Sequence, residues 1–132
     1  MTVSNFQFLN PYLVSLNFKT NVTAESIDET YQMENSIQVD VKRDPSKNQA
    51  TVLLTLKVNP HDQSPFTITA TIASDFRWDD LNDDAVNAML NQNAPSLLLS
   101  YLRPIIASVT NASVFPPYNI PFMNFANLPK NE

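Results

Sequence analysis

The chain has 132 residues and a formal net charge of −5 at pH 7, with 43% hydrophobic and 16% charged residues. It contains neither cysteine nor glycine, which excludes disulfides, thiolate metal sites and the glycine-rich loops that bind nucleotide phosphates. Only eight residues are Lys or Arg, a balance that argues against nucleic acid as a partner.

Length and hydropathy predict a single domain that stays in the cytoplasm. A chain of 132 residues suits one domain, spanning residues 1–132. No apolar run approaches the ~18 residues of a membrane-spanning helix, so we expect no direct insertion into a membrane. The N-terminus lacks the basic region and apolar block of a signal peptide.

Four stretches of alternating apolar and polar residues predict four β-strands. They cover residues 12–19, 37–42, 50–59 and 66–72. The predicted buried face of the first strand comprises Tyr12, Val14, Leu16 and Phe18. Short connections join the last three strands into an antiparallel meander, and a longer crossing joins the first strand to it.

Residues 75–93 differ in character from the strands, because four aspartates precede a run of alanine and larger apolar residues. The acidic residues are Asp79, Asp80, Asp83 and Asp84. They indicate one short helix whose first turn carries acids that stabilise the helix dipole. Since they lack the alternating ligand spacing and the turn glycine of a calcium loop, we predict no metal site.

A long amphipathic helix of about four turns is predicted to follow, with Asn93 or Ser96 as its N-cap. Its apolar stripe comprises Leu98, Leu102, Ile105, Ile106 and Val109. Pro104 favours a kink or a division of the helix, because its ring removes a backbone donor. The predicted fold is α+β, a four-stranded antiparallel sheet with one long helix packed on one face. A sheet covered by a single helix buries little surface for its size, so we expect an oligomer.

The segment after the helix is predicted to be extended and covered by another part of the molecule. Pro116, Pro117 and Pro121 withhold backbone donors and push their neighbours towards extended geometry. The same segment is too rich in aromatic and aliphatic residues to be a solvated linker.

The helix and this segment together carry a resemblance to a known family. The residues that carry it are Leu98, Tyr101, Leu102, Arg103, Ile106, Val109, Thr110, Pro116, Pro117, Asn119, Ile120, Pro121, Asn124 and Phe125. Their order resembles the C-terminal signature of the SecB protein-export chaperone family, in which a long helix leads through a short linker into a proline-rich segment. That family continues into a second C-terminal helix, whereas this sequence has only residues 126–132 there. The difference implies a more open groove or a narrower range of clients.

The resemblance implies a chaperone that binds unfolded polypeptides or preproteins without ATP or a cofactor, and that is not an enzyme. It also implies a homotetramer built as a dimer of dimers. The predicted oligomer interface comprises Leu98, Tyr101, Leu102, Arg103, Ile105, Ile106 and Val109. In the family, acidic residues on the first and fourth strands dock the SecA motor, but the matching positions here are Ser15, Lys19 and Thr69, which argues against coupling to SecA.

The resemblance also makes a group of aromatic, aliphatic and methionine side chains the candidate client-binding groove. It comprises Trp78, Met89, Leu90, Tyr118, Ile120, Phe122, Met123 and Phe125. Methionine offers an adaptable surface, and extended aromatic-lined grooves suit non-native polypeptide. From the residues alone, ordinary core is the simpler interpretation of the same group.

Two other functions fit the sequence. One is a dedicated chaperone of a single partner, such as an antitoxin. The other is a small-molecule carrier or structural interaction module that uses the aromatic group as a pocket. We predict no catalytic site, because the only histidine, His61, lies among turn residues without recognisable serine and carboxylate partners.

Overall fold

The structure is a computed structural model that describes residues 6–21, 33–44, 46–59 and 64–125. Within these residues the chain forms five β-strands and two α-helices: β1 (Phe6–Phe8), β2 (Tyr12–Thr20), β3 (Asn35–Asp44), β4 (Gln49–Val58), β5 (Phe66–Trp78), α1 (Asp83–Ala88) and α2 (Ala94–Asn111). A π-helical turn, Met89–Asn93, joins α1 to α2 without a break. None of the described helices has the length and apolarity needed to cross a membrane.

The strands form one antiparallel sheet in which β3, β4 and β5 are a meander, as predicted. β2 pairs with β5, so that β2 and β3 lie at opposite edges of the sheet although they follow one another in the chain. β1 also pairs with β5, beyond the end of β2, and is a fifth strand that was not predicted. Its three residues are too few to show an alternation pattern.

A β-bulge changes which side chains of β2 face the core. The register of the strand shifts after Leu13, which leaves Val14 as the extra residue. Leu13 therefore shares the core-facing side of the strand with Leu16 and Phe18. The prediction that Tyr12 lies on this face is wrong, because a bulge exchanges the two faces of a strand beyond it.

One face of the sheet and one stripe of α2 form the core. Every second residue of β4 is buried, and the side chains of β5 that face α2 are buried with them. Leu98, Leu102 and Ile106 of α2 pack into this core with no exposed surface. Ile105 packs against its border and, like Val109, stays partly exposed. The predicted α+β fold, with one long helix on one face of the sheet, is confirmed.

The other face of the sheet is polar. The hydroxyl groups of Thr55 and Thr71 are hydrogen-bonded across β4 and β5 at 3.0 Å, and the Thr51 hydroxyl donates to the Asp75 carboxylate. These residues stay partly exposed. Short polar side chains dominate this face, but the register also places Tyr12, Leu53 and Ala73 on it.

β5 is longer than predicted and delays the start of α1. It extends to Trp78, past the predicted end at residue 72, because Phe76 and Trp78 continue the buried alternation. The alternation is interrupted in the sequence because Ser74 is a polar residue at a buried position. Its hydroxyl donates to the Leu9 carbonyl between β1 and β2. A short helix with an acidic first turn is present, but only Asp83 and Asp84 lie in that turn; Asp79 and Asp80 precede the helix.

α2 differs from its prediction at Pro104 and at its N-terminus. It continues through Pro104, so the predicted division does not occur there. At its start, the Ala94 N–H bonds to the Met89 carbonyl in π-helical fashion, just before Pro95, which has no N–H to offer. Because the helix already runs through Asn93, neither this residue nor Ser96 serves as its N-cap, and Asn93 makes no side-chain capping bond.

The buried stripe of α2 predicts which substitutions unfold the protein. Leu102→Asp or Ile106→Asp places an unpaired carboxylate in the core, at a cost of several kcal/mol, against a total stability of about 5–15 kcal/mol. We expect the midpoint of thermal unfolding, followed by circular dichroism, to fall by at least ~10 °C. Ser108→Asp, on the exposed side of the same helix, is the control; equal losses at all three positions would contradict the assignment of the buried face.

Candidate functional site

The segment after α2 is held by a buried threonine. The Thr110 hydroxyl donates to the Ile106 carbonyl at 2.8 Å and accepts the Tyr118 N–H at 2.7 Å. Because Thr110 has no exposed surface, water cannot replace either partner. This one hydroxyl holds the returning chain against the last turn of the helix.

Three aromatic and aliphatic side chains then anchor the segment to the core. Phe115, Ile120 and Phe125 are all buried, and the Phe115 ring centroid lies 4.7 Å from that of Phe66 at the start of β5. Between these anchors, the Tyr118 hydroxyl donates to the Asn35 side-chain oxygen at 2.7 Å, at the start of edge strand β3. As predicted, residues 116–124 form neither a helix nor a strand. The segment is covered at Phe115, Ile120 and Phe125 but not along its whole length, since Phe122 is exposed.

A cavity of about 190 Å³ lies between α2 and the end of this segment. It is lined by Ser96, Leu99, Ser100, Arg103, Phe122, Met123 and Phe125, and we call it the α2 cavity. The helical residues are spaced so that they share one face of α2. Phe122 is 84% exposed at its rim, the largest exposed fraction among the large hydrophobic residues described. An aromatic side chain left in water beside an apolar cavity is typical of a binding site.

Arg103 links the two walls of the α2 cavity. Its Nη2 donates to the Pro121 carbonyl at 3.2 Å, so the helix fixes the backbone immediately before Phe122. Among the described residues, no carboxylate lies within ion-pair distance of its guanidinium. An arginine has five N–H donors, and the bond to Pro121 uses one of them.

The structure separates the eight residues of the candidate groove into two groups. Phe122, Met123 and Phe125 line the α2 cavity. Trp78, Leu90 and Ile120 are buried in the core together with Phe125, whereas Met89 and Tyr118 are partly exposed. The cavity residues that sequence reasoning did not assign to the groove are Ser96, Leu99, Ser100 and Arg103. Their i, i+3, i+4 and i+7 spacing was the available signal.

Trp78 lies at the end of the sheet where α1 crosses it. The Arg43 guanidinium lies 5.4 Å from the centre of the indole and also pairs with Asp83 at 3.6 Å. Its Nη1 donates to the Asn87 side-chain oxygen at 3.2 Å. Arg43 therefore links α1 to the sheet and covers Trp78. The indole is part of the packing within a single protomer.

The predicted interface residues also divide by burial. Leu98, Leu102 and Ile106 are covered completely within one protomer, whereas Tyr101 is 43% exposed. The Tyr101 ring contacts Phe8 edge-on, with 6.3 Å between ring centroids. We use the name edge patch for exposed apolar side chains of β1, β2 and their connection, taken together with Tyr101. It comprises Phe8, Leu9, Leu13, Val14 and Tyr101.

The titratable and metal-binding groups described in the structure do not converge on the cavity. The hydrogen bond from the Ser46 hydroxyl lowers the pKa of the Asp44 carboxyl, but this turn joins β3 to β4 and does not line the cavity. No three His, Cys, Asp or Glu residues of the described ranges are placed to hold a metal ion. His61, predicted to be a solvated turn residue, lies outside those ranges.

Comparison with known proteins identifies the family. The family model described as "Preprotein translocase subunit SecB" matches residues 2–132. The chain belongs to the SecB family. The protein-export protein SecB of Paracoccus denitrificans is 26% identical over 133 residues, which cover 96% of this chain and 75% of the relative. The corresponding protein of Cellvibrio japonicus is 25% identical, over 86% of this chain and 70% of the relative.

A solved structure supports the SecB-like fold. It is a SecB-like chaperone of Mycobacterium tuberculosis in complex with a ChAD peptide from the HigA1 antitoxin, and it superimposes with a TM-score of 0.69. The match covers 90% of this chain and 91% of that chain, at 15% sequence identity. Proteins of the SecB family are chaperones that bind unfolded polypeptides and are not enzymes. The predicted family, general function and non-enzymatic nature of the protein are confirmed.

The Thr110 hydroxyl provides a test of how the cavity wall is held. Thr110→Val keeps the shape of the side chain but leaves the part-buried Tyr118 N–H without this acceptor, which costs about 1 kcal/mol. We expect a lower melting temperature and faster amide hydrogen exchange in residues 118–125. Thr110→Ser keeps the hydroxyl and should retain most of the protection. Unchanged exchange of the Tyr118 amide in the valine variant would show that this bond does not hold the segment.

Proposed function

We propose that this SecB-family chaperone holds unfolded polypeptides at the α2 cavity, without ATP, and that the exposed ring of Phe122 is the first apolar group a client meets. The observation that carries the proposal is the 84% exposure of Phe122 at the rim of a 190 Å³ cavity. Covering this ring removes apolar surface from water, at about 25 cal/mol per Å². Folded proteins keep their own apolar side chains buried, so unfolded chains are preferred clients.

The way in which the cavity wall is built suits clients of varied sequence. The segment that carries Phe122 and Met123 is anchored at Ile120 and Phe125, but its own backbone lies outside any sheet or long helix. Phe122 and Met123 are therefore free to change rotamer without breaking a backbone ladder, and the unbranched Met123 side chain adapts to different shapes. A general holdase needs this tolerance.

A dedicated chaperone of one partner is the second candidate function. The solved SecB-like neighbour was captured with a peptide from an antitoxin, a single defined partner. The two functions differ in their range of clients. Similar affinity for several unrelated denatured proteins supports the general holdase, and tight binding of one partner with weak binding of the others supports the dedicated chaperone.

We place the protein in the cytoplasm, where a SecB-family chaperone holds preproteins before export, but we do not propose docking to SecA through an acidic sheet surface. Ser15 and Lys19 of β2 pair with Thr71 and Thr67 of β5, so they lie with Thr69 on the polar outer face of the sheet. This cluster carries no acidic side chain. Electrostatic attraction of a basic partner to this site therefore has no local source.

The groove assignment is tested by removing its exposed side chains. Phe122→Ser combined with Met123→Ser should weaken suppression of aggregation when a chemically denatured client is diluted into buffer, measured by light scattering. The melting temperature should change little, because neither residue is buried, whereas a core truncation costs roughly 2–5 kcal/mol. Val114→Ser, 60% exposed and outside the cavity, is the matched control. Full activity of a stable double variant would exclude these residues from the site.

We also propose that the protein assembles through the edge patch into a homo-oligomer, a dimer of dimers. The patch joins Leu13 and Val14 of edge strand β2 to Tyr101 of α2, and these side chains are 42%, 51% and 43% exposed. Apolar side chains beside an unpaired strand edge are commonly covered by another chain.

Assembly is tested by the mass in solution. Light scattering should give a multiple of the 14.9 kDa protomer, and Val14→Glu combined with Tyr101→Glu should reduce that mass, because a second protomer cannot bury the two carboxylates. Val114→Glu, an equally exposed valine outside the patch, should not change it. A wild-type protein that stays at 14.9 kDa at micromolar concentration, or a double variant that keeps the wild-type mass, would contradict the proposal.

A further inference from the structure

We infer that the α2 cavity prefers the last residue of a polypeptide, an apolar side chain beside a free C-terminal carboxylate. This inference rests on the proposed function, since it names the part of a client that the cavity takes. It follows from three features of the site: the size of the cavity, the charge of Arg103, which has no ion-pair partner among the described residues, and the position of that charge relative to the apolar wall.

The size of the cavity limits what enters it. A volume of about 190 Å³ is slightly larger than the ~150 Å³ cavity that holds one benzene molecule. It therefore has room for one aromatic or branched aliphatic side chain at a time. Leu99 and Phe125 form its buried wall, which suits an apolar group and provides no partner for a polar one.

The charge at the cavity wall selects what lies next to that side chain. Arg103 already donates one hydrogen bond to the Pro121 carbonyl at 3.2 Å, which holds the guanidinium at the wall. Its positive charge has no carboxylate partner within ion-pair distance in the described ranges. A planar guanidinium binds a carboxylate through two parallel N–H···O bonds. The wall therefore complements an anion that lies directly beside an apolar group.

A polypeptide carries a main-chain carboxylate only at its last residue. There the carboxylate and the side chain share one Cα, so a side chain in the cavity brings the carboxylate to the cavity wall. An internal aspartate or glutamate carries its charge on a separate side chain, so the distance between that charge and a neighbouring apolar group is not fixed by a shared Cα. The cavity also lies at the surface, with Phe122 at its rim, so the chain before the last residue can leave into solvent.

The inference is tested with three fluorescein-labelled peptides and the full-length protein. All contain the same polar sequence and one Leu-Phe pair: the first ends in Phe with a free acid, the second ends in Phe amide, and the third has the pair in its middle with a polar C-terminal residue. Fluorescence anisotropy should show roughly tenfold tighter binding of the free acid than of the amide, the effect of one charge-assisted contact. Added salt should reduce the difference.

Two variants each remove one arginine charge, one at the cavity wall and one outside the cavity. Arg103→Gln should bring the affinity for the free acid down to that for the amide, and Arg77→Gln, on the exposed polar face of the sheet, should leave the difference intact. Equal binding of acid and amide by the wild-type protein overturns the inference. The holdase activity is measured separately, with denatured clients, and tests the proposed function independently. Tightest binding of the internal pair also overturns it. A fall in oligomer mass in Arg103→Gln alone overturns it too, because Arg103 then pairs with a carboxylate of a second copy.

Discussion

The packing of three leucine and isoleucine side chains of α2 on one face of the sheet is the contact on which the rest of the structure depends. Leu98, Leu102 and Ile106 have no exposed surface, and they bring the end of the helix over the start of β5. The chain that leaves the helix is then close enough for Phe115 to stack on Phe66. Without this packing, the C-terminal segment would have no surface to lie on.

Prolines and one threonine shape the segment that forms the site. Proline withholds the N–H groups that would extend the helix or join a sheet, so the segment keeps irregular backbone beside the core. Thr110 compensates by offering its hydroxyl to the Tyr118 N–H, and Arg103 offers a donor to the Pro121 carbonyl. The site thus combines fixed anchors with side chains that no regular element restrains, which is what binding of varied polypeptides requires.

The two exposed apolar regions of the protomer suit different partners. The edge patch borders a strand edge and is broad, and such a surface suits a second copy of the chain. The α2 cavity is small and concave, and it carries one cation without an ion-pair partner among the described residues. A surface of this second kind suits a single side chain of a client with an anion next to it. The assembly and the client binding that we propose therefore use separate surfaces of one chain.

The sequence by itself determined the meander, the long helix with its buried stripe and the proline-rich segment, because local alternation, helical spacing and proline placement act over neighbouring residues. The SecB family followed from the resemblance of that helix and segment to a known signature. Only the tertiary structure decided the rest. The bulge at Val14 reversed the face of Tyr12, and buried Ser74 concealed the continuation of β5. The tertiary structure also places Trp78 and Leu90 in the core and Phe122 at the cavity rim. The sequence does not distinguish these residues, because side chains of like polarity differ only in which part of the fold covers them.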